Sequence, residues 1–280
     1  AAPIGVIIPP SISFIIIGVL SSTSIADLYK AGIPAGMITG LTLIAVAVWL
    51  SKKRGYGGEV IPFDLKTVWK AFVDATWALG TPLILIGGVF GGIFTPTESA
   101  AVAVAYAILV GRFIYREMTW RNILDTFILS AKTSGRILFI ISNAALFAWV
   151  LTIERVPQTV VESFLSISNS PVVILMIINV ILLIAGCFME SGSIQVIAVP
   201  LFWPIIKQLG IDPVHFGIIM TVNLAIGLMT PPFGVVLFTT ASVGKVSIQS
   251  ITTRLVPVFI AMVVALIMIT YVPQSVMFML

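Results

Sequence analysis

Apolar residues run along this chain in long blocks, parted by short polar or proline-bearing stretches, with no sustained strand-like alternation. Blocks near 4–21, 32–50, 80–94, 97–114, 136–152, 171–189, 193–209, 214–243 and 255–273 predict helices that cross or enter a bilayer. Several are interrupted. Blocks 4–21 and 214–243 contain the proline pairs Pro9-Pro10 and Pro231-Pro232, and Thr95-Pro96 alone separates 80–94 from 97–114. A polar loop, Ser51 to Asp64, is loosened by Gly55, Gly57 and Gly58. An amphipathic helix follows it, with Leu65, Val68, Trp69 and Phe72 on one face and Lys66, Lys70 and Asp74 on the other. A second starts at Thr119, with Trp120, Ile123, Leu124, Phe127 and Ile128 opposed to Arg121, Asp125 and Lys132, and 156–168 is a weaker third. Such helices lie in the membrane interface or pack on other protein.

The broken blocks are copies of one another. Gly5-Val6-Ile7-Ile8-Pro9-Pro10 returns as Gly227-Leu228-Met229-Thr230-Pro231-Pro232. After a slip of one residue, Ser24-Ile25 also pairs with Ser247-Ile248, and Pro34 with Pro257. A proline pair removes two backbone donors and forbids a continuous helix. Lipid tolerates that only where the freed groups face protein or a wet cavity, and paired interruptions point to a secondary transporter's binding site.

Composition narrows the class. Of 280 residues, 59% are hydrophobic and 9% charged, which makes the chain an all-α integral membrane protein. The net charge of +4 comes from cations that flank apolar blocks, so no nucleic-acid surface is expected. One cysteine, Cys187, excludes an internal disulfide and a multi-cysteine metal site.

Lysine and arginine placement bears on threading. With Lys52, Lys53 and Arg54 in the cytoplasm and 171–209 folded as a hairpin that returns to its own side, twelve cations lie inside. Lys30, Arg155 and Lys207 then lie outside. Threading 171–189 as a lone span moves Lys207 in and Lys245 and Arg254 out, for eleven against four, so charge alone does not decide. The hairpin reading makes the two broken copies run in opposite directions, an inverted repeat, and is adopted for that reason. Residues 1–50 then end a first repeat, with a broken helix 4–21 and a span 32–50. Residues 51–79 form a cytoplasmic loop and interfacial helix, and 80–280 a second repeat. That second repeat holds spans 80–94, 97–114 and 136–152, interfacial helix 119–134, re-entrant hairpin 171–209, broken helix 214–243 and span 255–273. The symmetry predicts a further hairpin and spans upstream of Ala1.

Chemistry is expected at the breaks and at the hairpin tip. Half-helix C-termini carry partial negative charge suited to sodium, and N-termini suit an anionic group. Candidate sodium ligands are Gly5, Val6 and Ile8 in the first break and Gly227, Leu228 and Thr230 in the second, all neutral oxygens fit for a hard cation. Glu190, Ser191, Gly192 and Ser193 at the tip join them; Glu190 lies either at mid-membrane beside a cavity or in water at a shallow tip. Ser11, just past the first prolines, and Asn223, one turn before Gly227, are candidate substrate contacts. Thr97 reads as a helix cap with Glu98 in the first turn. Asn143 and Asn179 read as hydrogen bonders between helices. His215 reads as an interfacial histidine.

No zinc-protease, Walker or serine–histidine pattern is present, so an enzyme is not expected. An ion channel built from re-entrant segments is the alternative to a transporter.

At this point a family resemblance adds to the reading. Gly91-Gly92-Ile93-Phe94-Thr95-Pro96-Thr97-Glu98-Ser99-Ala100, Gly210-Ile211-Asp212-Pro213-Val214-His215-Phe216-Gly217, the second break and Ile8-Pro9-Pro10-Ser11 resemble the large membrane subunit of tripartite ATP-independent periplasmic (TRAP) transporters. The resemblance covers nearly the whole chain and corresponds to the C-terminal two thirds of that subunit. It implies sodium-coupled uptake of a small organic anion, such as a dicarboxylate, sialic acid or other sugar acid, across a bacterial inner membrane. It further implies a soluble periplasmic substrate-binding protein, a small four-span membrane subunit and an elevator mechanism. Sodium would lie around Gly5–Ile8 and around Gly227–Thr230 with the tip, and Ser11 matches a position near substrate.

Overall fold

A computed structural model describes residues 2–55, 64–232 and 234–280. Gly57 and Gly58 of the expected loop lie outside the described residues. Among the described residues the fold is helical, without strands. Seven segments there are long and apolar enough to cross a bilayer: Pro3–Ser21, Ile25–Arg54, Leu65–Phe90, Pro96–Ile114, Trp120–Ile153, Pro171–Phe188 and Ile248–Tyr271. The chain divides into two units, one of residues 1–55 and 141–280, the other of residues 56–140.

In the first unit the opening block is α1 (Ala2–Ile7) and α2 (Ile12–Ser21), parted at the prolines. α3 (Ile25–Arg54) begins seven residues before the expected span, because Ser24 caps it by accepting from the Asp27 N–H at 3.2 Å. It continues through Lys52, Lys53 and Arg54, cations that suit a helix C-terminus, and stops at Gly55 with φ 64°, a conformation glycine adopts without strain. The expected loop is therefore helical over 51–54.

Later come α7 (Val156–Ile167), α8 (Pro171–Phe188), α9 (Ser191–Gln208), α10 (Pro213–Gly227), α11 (Val235–Gly244), α12 (Ile248–Tyr271) and α13 (Gln274–Met277). α7, expected at the interface or on protein, packs on α9, with Phe164 and Phe202 rings edge to face at 6.1 Å. The two copies agree locally. After each break, a residue with positive φ (Ser22 at 57°, Lys245 at 50°) ends the helix. Two residues on, Ser24 or Ser247 caps the next helix, which carries Pro34 or Pro257 inside it.

Glycine contacts give the directions. A Cβ on Gly40 would meet Ile4 at 3.6 Å, and one on Gly32 the Ile7 carbonyl at 3.1 Å, so α1 runs against α3. A Cβ on Gly217, near the start of α10, would meet Leu28 at 2.7 Å and Ile17 at 3.4 Å. At the far end of α10, Leu228 lines a cavity with Gly5 and Val6. The α1–α2 path therefore runs opposite to α10.

α8 and α9 form a hairpin whose outer ends lie together: Pro171, Leu209, Asp212 and Tyr271 line one pocket. The end of α12 is tied there by Tyr271 O–H donating to the Val172 carbonyl at 3.2 Å. Because α12 finishes at that end and α3 starts there, Lys52–Arg54 and Lys245 fall at the opposite end from Lys30 and Lys207.

In the second unit α4 (Leu65–Phe90) runs antiparallel to α5 (Pro96–Leu109), which ends in a π turn over Val110–Ile114. Ser99 Oγ donates to the Ile84 carbonyl at 2.9 Å, Tyr106 O–H to Trp77 at 2.9 Å and Tyr115 O–H to Asp74 at 2.9 Å. The expected cap at Thr97 is instead Thr95, with Pro96 in the first turn, where its missing N–H costs nothing. Glu98 closes a capping box, its Oε2 accepting from the Thr95 N–H at 2.8 Å. The first two amphipathic segments are not separate helices. The first is the opening of α4, and the second runs without a break into α6 (Trp120–Ile153), whose residues from 141 on belong to the first unit, since only Gly135 lies at the junction and no proline stops it.

Candidate functional site

Proline chemistry decides which carbonyls are freed. In a continuous helix, residues 9 and 10 would donate to the carbonyls of Gly5 and Val6; prolines cannot. Ser11 Oγ supplies the Val6 carbonyl instead, at 2.6 Å. The Ser11 hydroxyl makes no cap bond to α2, although Ser11 holds the N-cap position. In the second break the lost donors are those to Gly227 and Leu228. The Thr230 N–H reaches the Gly227 carbonyl at 2.9 Å and the Val236 N–H the Leu228 carbonyl at 3.0 Å. Thr230 Oγ1 donates to the Ile226 carbonyl at 2.7 Å, and the Gly234 N–H to the Thr230 carbonyl at 3.1 Å. The second break thus largely closes on itself, and an ion there would use the carbonyls' second lone pairs.

At the hairpin tip, Glu190 caps α9 by accepting from the Ser193 N–H at 3.2 Å. Glu190 is exposed and Ser191 buried. A cavity of about 310 Å³ joins the first break to this tip. Gly5, Val6 and Ser11 line it from one side, Glu190, Ser191 and Gly192 from the other, and Leu228 from the second break. The starts of α2 and α9 both border it, so two helix N-terminal ends face it, that of α9 with its Ser193 N–H already turned to Glu190. Neither lysine nor arginine is found among its described lining residues.

The other candidate residues lie elsewhere. Ile8 packs over Gly36 of α3, and Gly227 sits against Gly186 of α8. Ser193 and Thr230 are engaged as above. Asn223, fully buried, donates through Nδ2 to the Asn179 carbonyl at 3.0 Å and to Asn179 Oδ1 at 2.9 Å. Asn179 in turn donates to Thr270 Oγ1 at 3.1 Å, the interhelical role expected of it. His215, expected as an interfacial residue, is buried against protein, with Nε2 2.8 Å from the Ile269 carbonyl.

Gln195 was not anticipated. It lines the cavity at 0% exposure, and neither Oε1 nor Nε2 has a partner among the described residues. A signal was present, since Gln195 follows Ser191 by four residues and so shares its helix face in an otherwise apolar run.

Residues 1–275 match the family described as "Tripartite ATP-independent periplasmic transporter, DctM component". The chain is 44% identical over 278 residues to the isethionate TRAP transporter permease protein DctMQ of Oleidesulfovibrio alaskensis, covering 99% of this chain and 44% of that protein. It is 39% identical over 274 residues to the C4-dicarboxylate TRAP transporter large permease protein DctM of Pseudomonas aeruginosa, covering 98% and 64%. With the sialic acid TRAP transporter large permease protein SiaM of Vibrio cholerae it shares 35% identity over 272 residues, covering 97% and 63%. The chain therefore spans less than two thirds of the length of these relatives. These relatives are transporters rather than enzymes, and a multi-pass membrane protein is what the seven apolar segments independently describe. On this match, extending over nearly its whole length, the chain belongs to the DctM family of tripartite ATP-independent periplasmic transporter components.

Proposed function

We propose that the protein is the membrane part of a sodium-coupled importer that takes up a small organic anion across a bacterial inner membrane. The observation that carries this is the cavity bordered by both proline breaks and the hairpin tip. Two proline-broken helices running in opposite directions support an inverted repeat, with α8–α9 as its re-entrant hairpin. The end bearing Lys52–Arg54 and Lys245 faces the cytoplasm under the positive-inside rule.

The substrate is a dicarboxylate, a sialic or other sugar acid, or a sulfonate, the range spanned by the relatives' names. Helix N-termini at the cavity meet its anionic group, with Ser11 beside it. Sodium binds near the Gly5–Ile8 carbonyls and near Gly227–Thr230 with the tip, and brings the positive charge that the cavity's own side chains lack. A periplasmic binding protein delivers the anion, a small four-span subunit braces the permease, and the hairpin with its broken helices moves as an elevator.

The test is uptake into proteoliposomes by the full-length permease with its small subunit and binding protein. Uptake that requires both an inward sodium gradient and the binding protein supports the reading. Uptake indifferent to both, or single-channel current without organic substrate, overturns it.

A further inference from the structure

We propose that Gln195 is a specificity-determining residue that selects anions carrying a hydroxyl group over the same anions without one; this deepens, and rests on, the transport reading above. Gln195 is wholly buried, yet both polar atoms of its side-chain amide lack a partner among the described residues, and the residue lines the cavity. A buried amide left unpaired is costly, so a ligand group that pairs with it gains what the empty site forgoes.

The amide offers two donors and one acceptor. A carboxylate or sulfonate oxygen only accepts; it satisfies Nε2 and leaves Oε1 bare. A hydroxyl both donates and accepts, so it can engage Oε1. The charged group already has a different berth, at the starts of α2 and α9 beside Ser11 and Ser191. Gln195 lies one turn farther along α9 than Ser191, about 6 Å at 1.5 Å per residue, on the same face. That spacing suits a short anion whose hydroxyl is a few bonds from its charge. Glu190, the sole carboxylate among the described lining residues, turns Oε2 to the Ser193 N–H and adds negative charge at the tip.

Three hydroxy/deoxy pairs serve as probes: 2-hydroxyethanesulfonate with ethanesulfonate, malate with succinate, and glycolate with acetate. Each is measured by uptake in the complete reconstituted system, and by thermal stabilisation of the solubilised full-length permease alone, which removes the binding protein's own selectivity. The expected result is that the hydroxylated member of at least one pair is transported and stabilises the permease more than its partner. Gln195→Leu then lowers that discrimination about ten-fold, the order expected for the loss of one hydrogen bond. Gln195→Met, of similar length, should do the same, and both variants should unfold no earlier than the unaltered protein, since each removes an unpaired amide. Discrimination unchanged in both variants overturns the inference and leaves the transport reading standing. No uptake and no stabilisation by any of the six probes overturns the inference for short hydroxy anions, whereas the transport reading, which also admits sugar acids, falls only by its own test of sodium and binding-protein dependence.

Discussion

Gly227, the last residue of α10, touches Gly186 of α8 so closely that a Cβ on Gly227 would stand 2.6 Å from the Gly186 Cα. The neighbour is backbone, which cannot rotate away. The first arm of the hairpin and the second broken helix are held together at this point, and the glycine is needed for packing whatever its carbonyl does for an ion.

Gly227→Ala should therefore destabilise by about 1–3 kcal/mol, the usual cost of overpacking, with the unfolding midpoint lower by several degrees. Gly135→Ala is the contrast: a Cβ there meets nothing within 4 Å, and replacing a mid-helix glycine should be neutral or favourable. Thermal unfolding of the two variants side by side decides the matter. Equal midpoints would show that α8 and α10 are not in backbone contact.

The buried chain from Asn223 through Asn179 to Thr270 ties α10 and α8 to α12. In a double-mutant cycle, Asn179→Ala and Asn223→Ala should couple by about 1 kcal/mol, within the range for side-chain hydrogen bonds inside membrane proteins. Additive losses would mean that the pair does not form.

Thr230 spends its hydroxyl proton on the Ile226 carbonyl, which leaves its oxygen lone pairs free for a cation. If sodium binds at the second break, Thr230→Ala should raise the sodium concentration for half-maximal uptake about two- to ten-fold, and Thr230→Ser should restore it. Sodium titration of uptake at matched expression is the measurement. An unchanged requirement in Thr230→Ala places sodium away from this residue.

Asp64 caps α4 from outside the apolar span. The Thr67 hydroxyl, then the Lys66 and Thr67 N–H groups, hold its carboxyl below the usual carboxylate range. Because the folded value is depressed, the cap's contribution is fully present above the unfolded value of about 3.9 and is lost as pH falls through the folded one. The protection of the Lys66 and Thr67 amides, measured against their intrinsic exchange rates, should fall as pH drops through the folded carboxyl value and reach that of Asp64→Ala, which should show no such step.

Much of the helical layout could be read along the chain, because a long apolar block, a proline pair and a serine cap act within a few residues of themselves. Pro9-Pro10, Pro231-Pro232, Ser24 and Ser247 mark their boundaries in that way, and the tip at Met189–Glu190 falls where small polar residues interrupt the block. Where reading failed locally, the cause was local too. Amphipathic faces at 65–74 and 119–134 suggested separate helices, but no breaker follows either, so each continues into the helix after it.

Other features depend on residues far apart in sequence. Val6 and Thr230 both stand at half-helix ends, yet Val6 borders the cavity while the second break folds its carbonyls inward. Gln195 looked like one more residue of an apolar helix until packing buried it opposite Ser11 with nothing to pair its amide. Apolar patterning tells a segment to be a buried helix, but it carries no record of which helix arrives beside it. That depends on close contacts such as Gly186 with Gly227 and Leu28 with Gly217, and those exist only once the helices have packed.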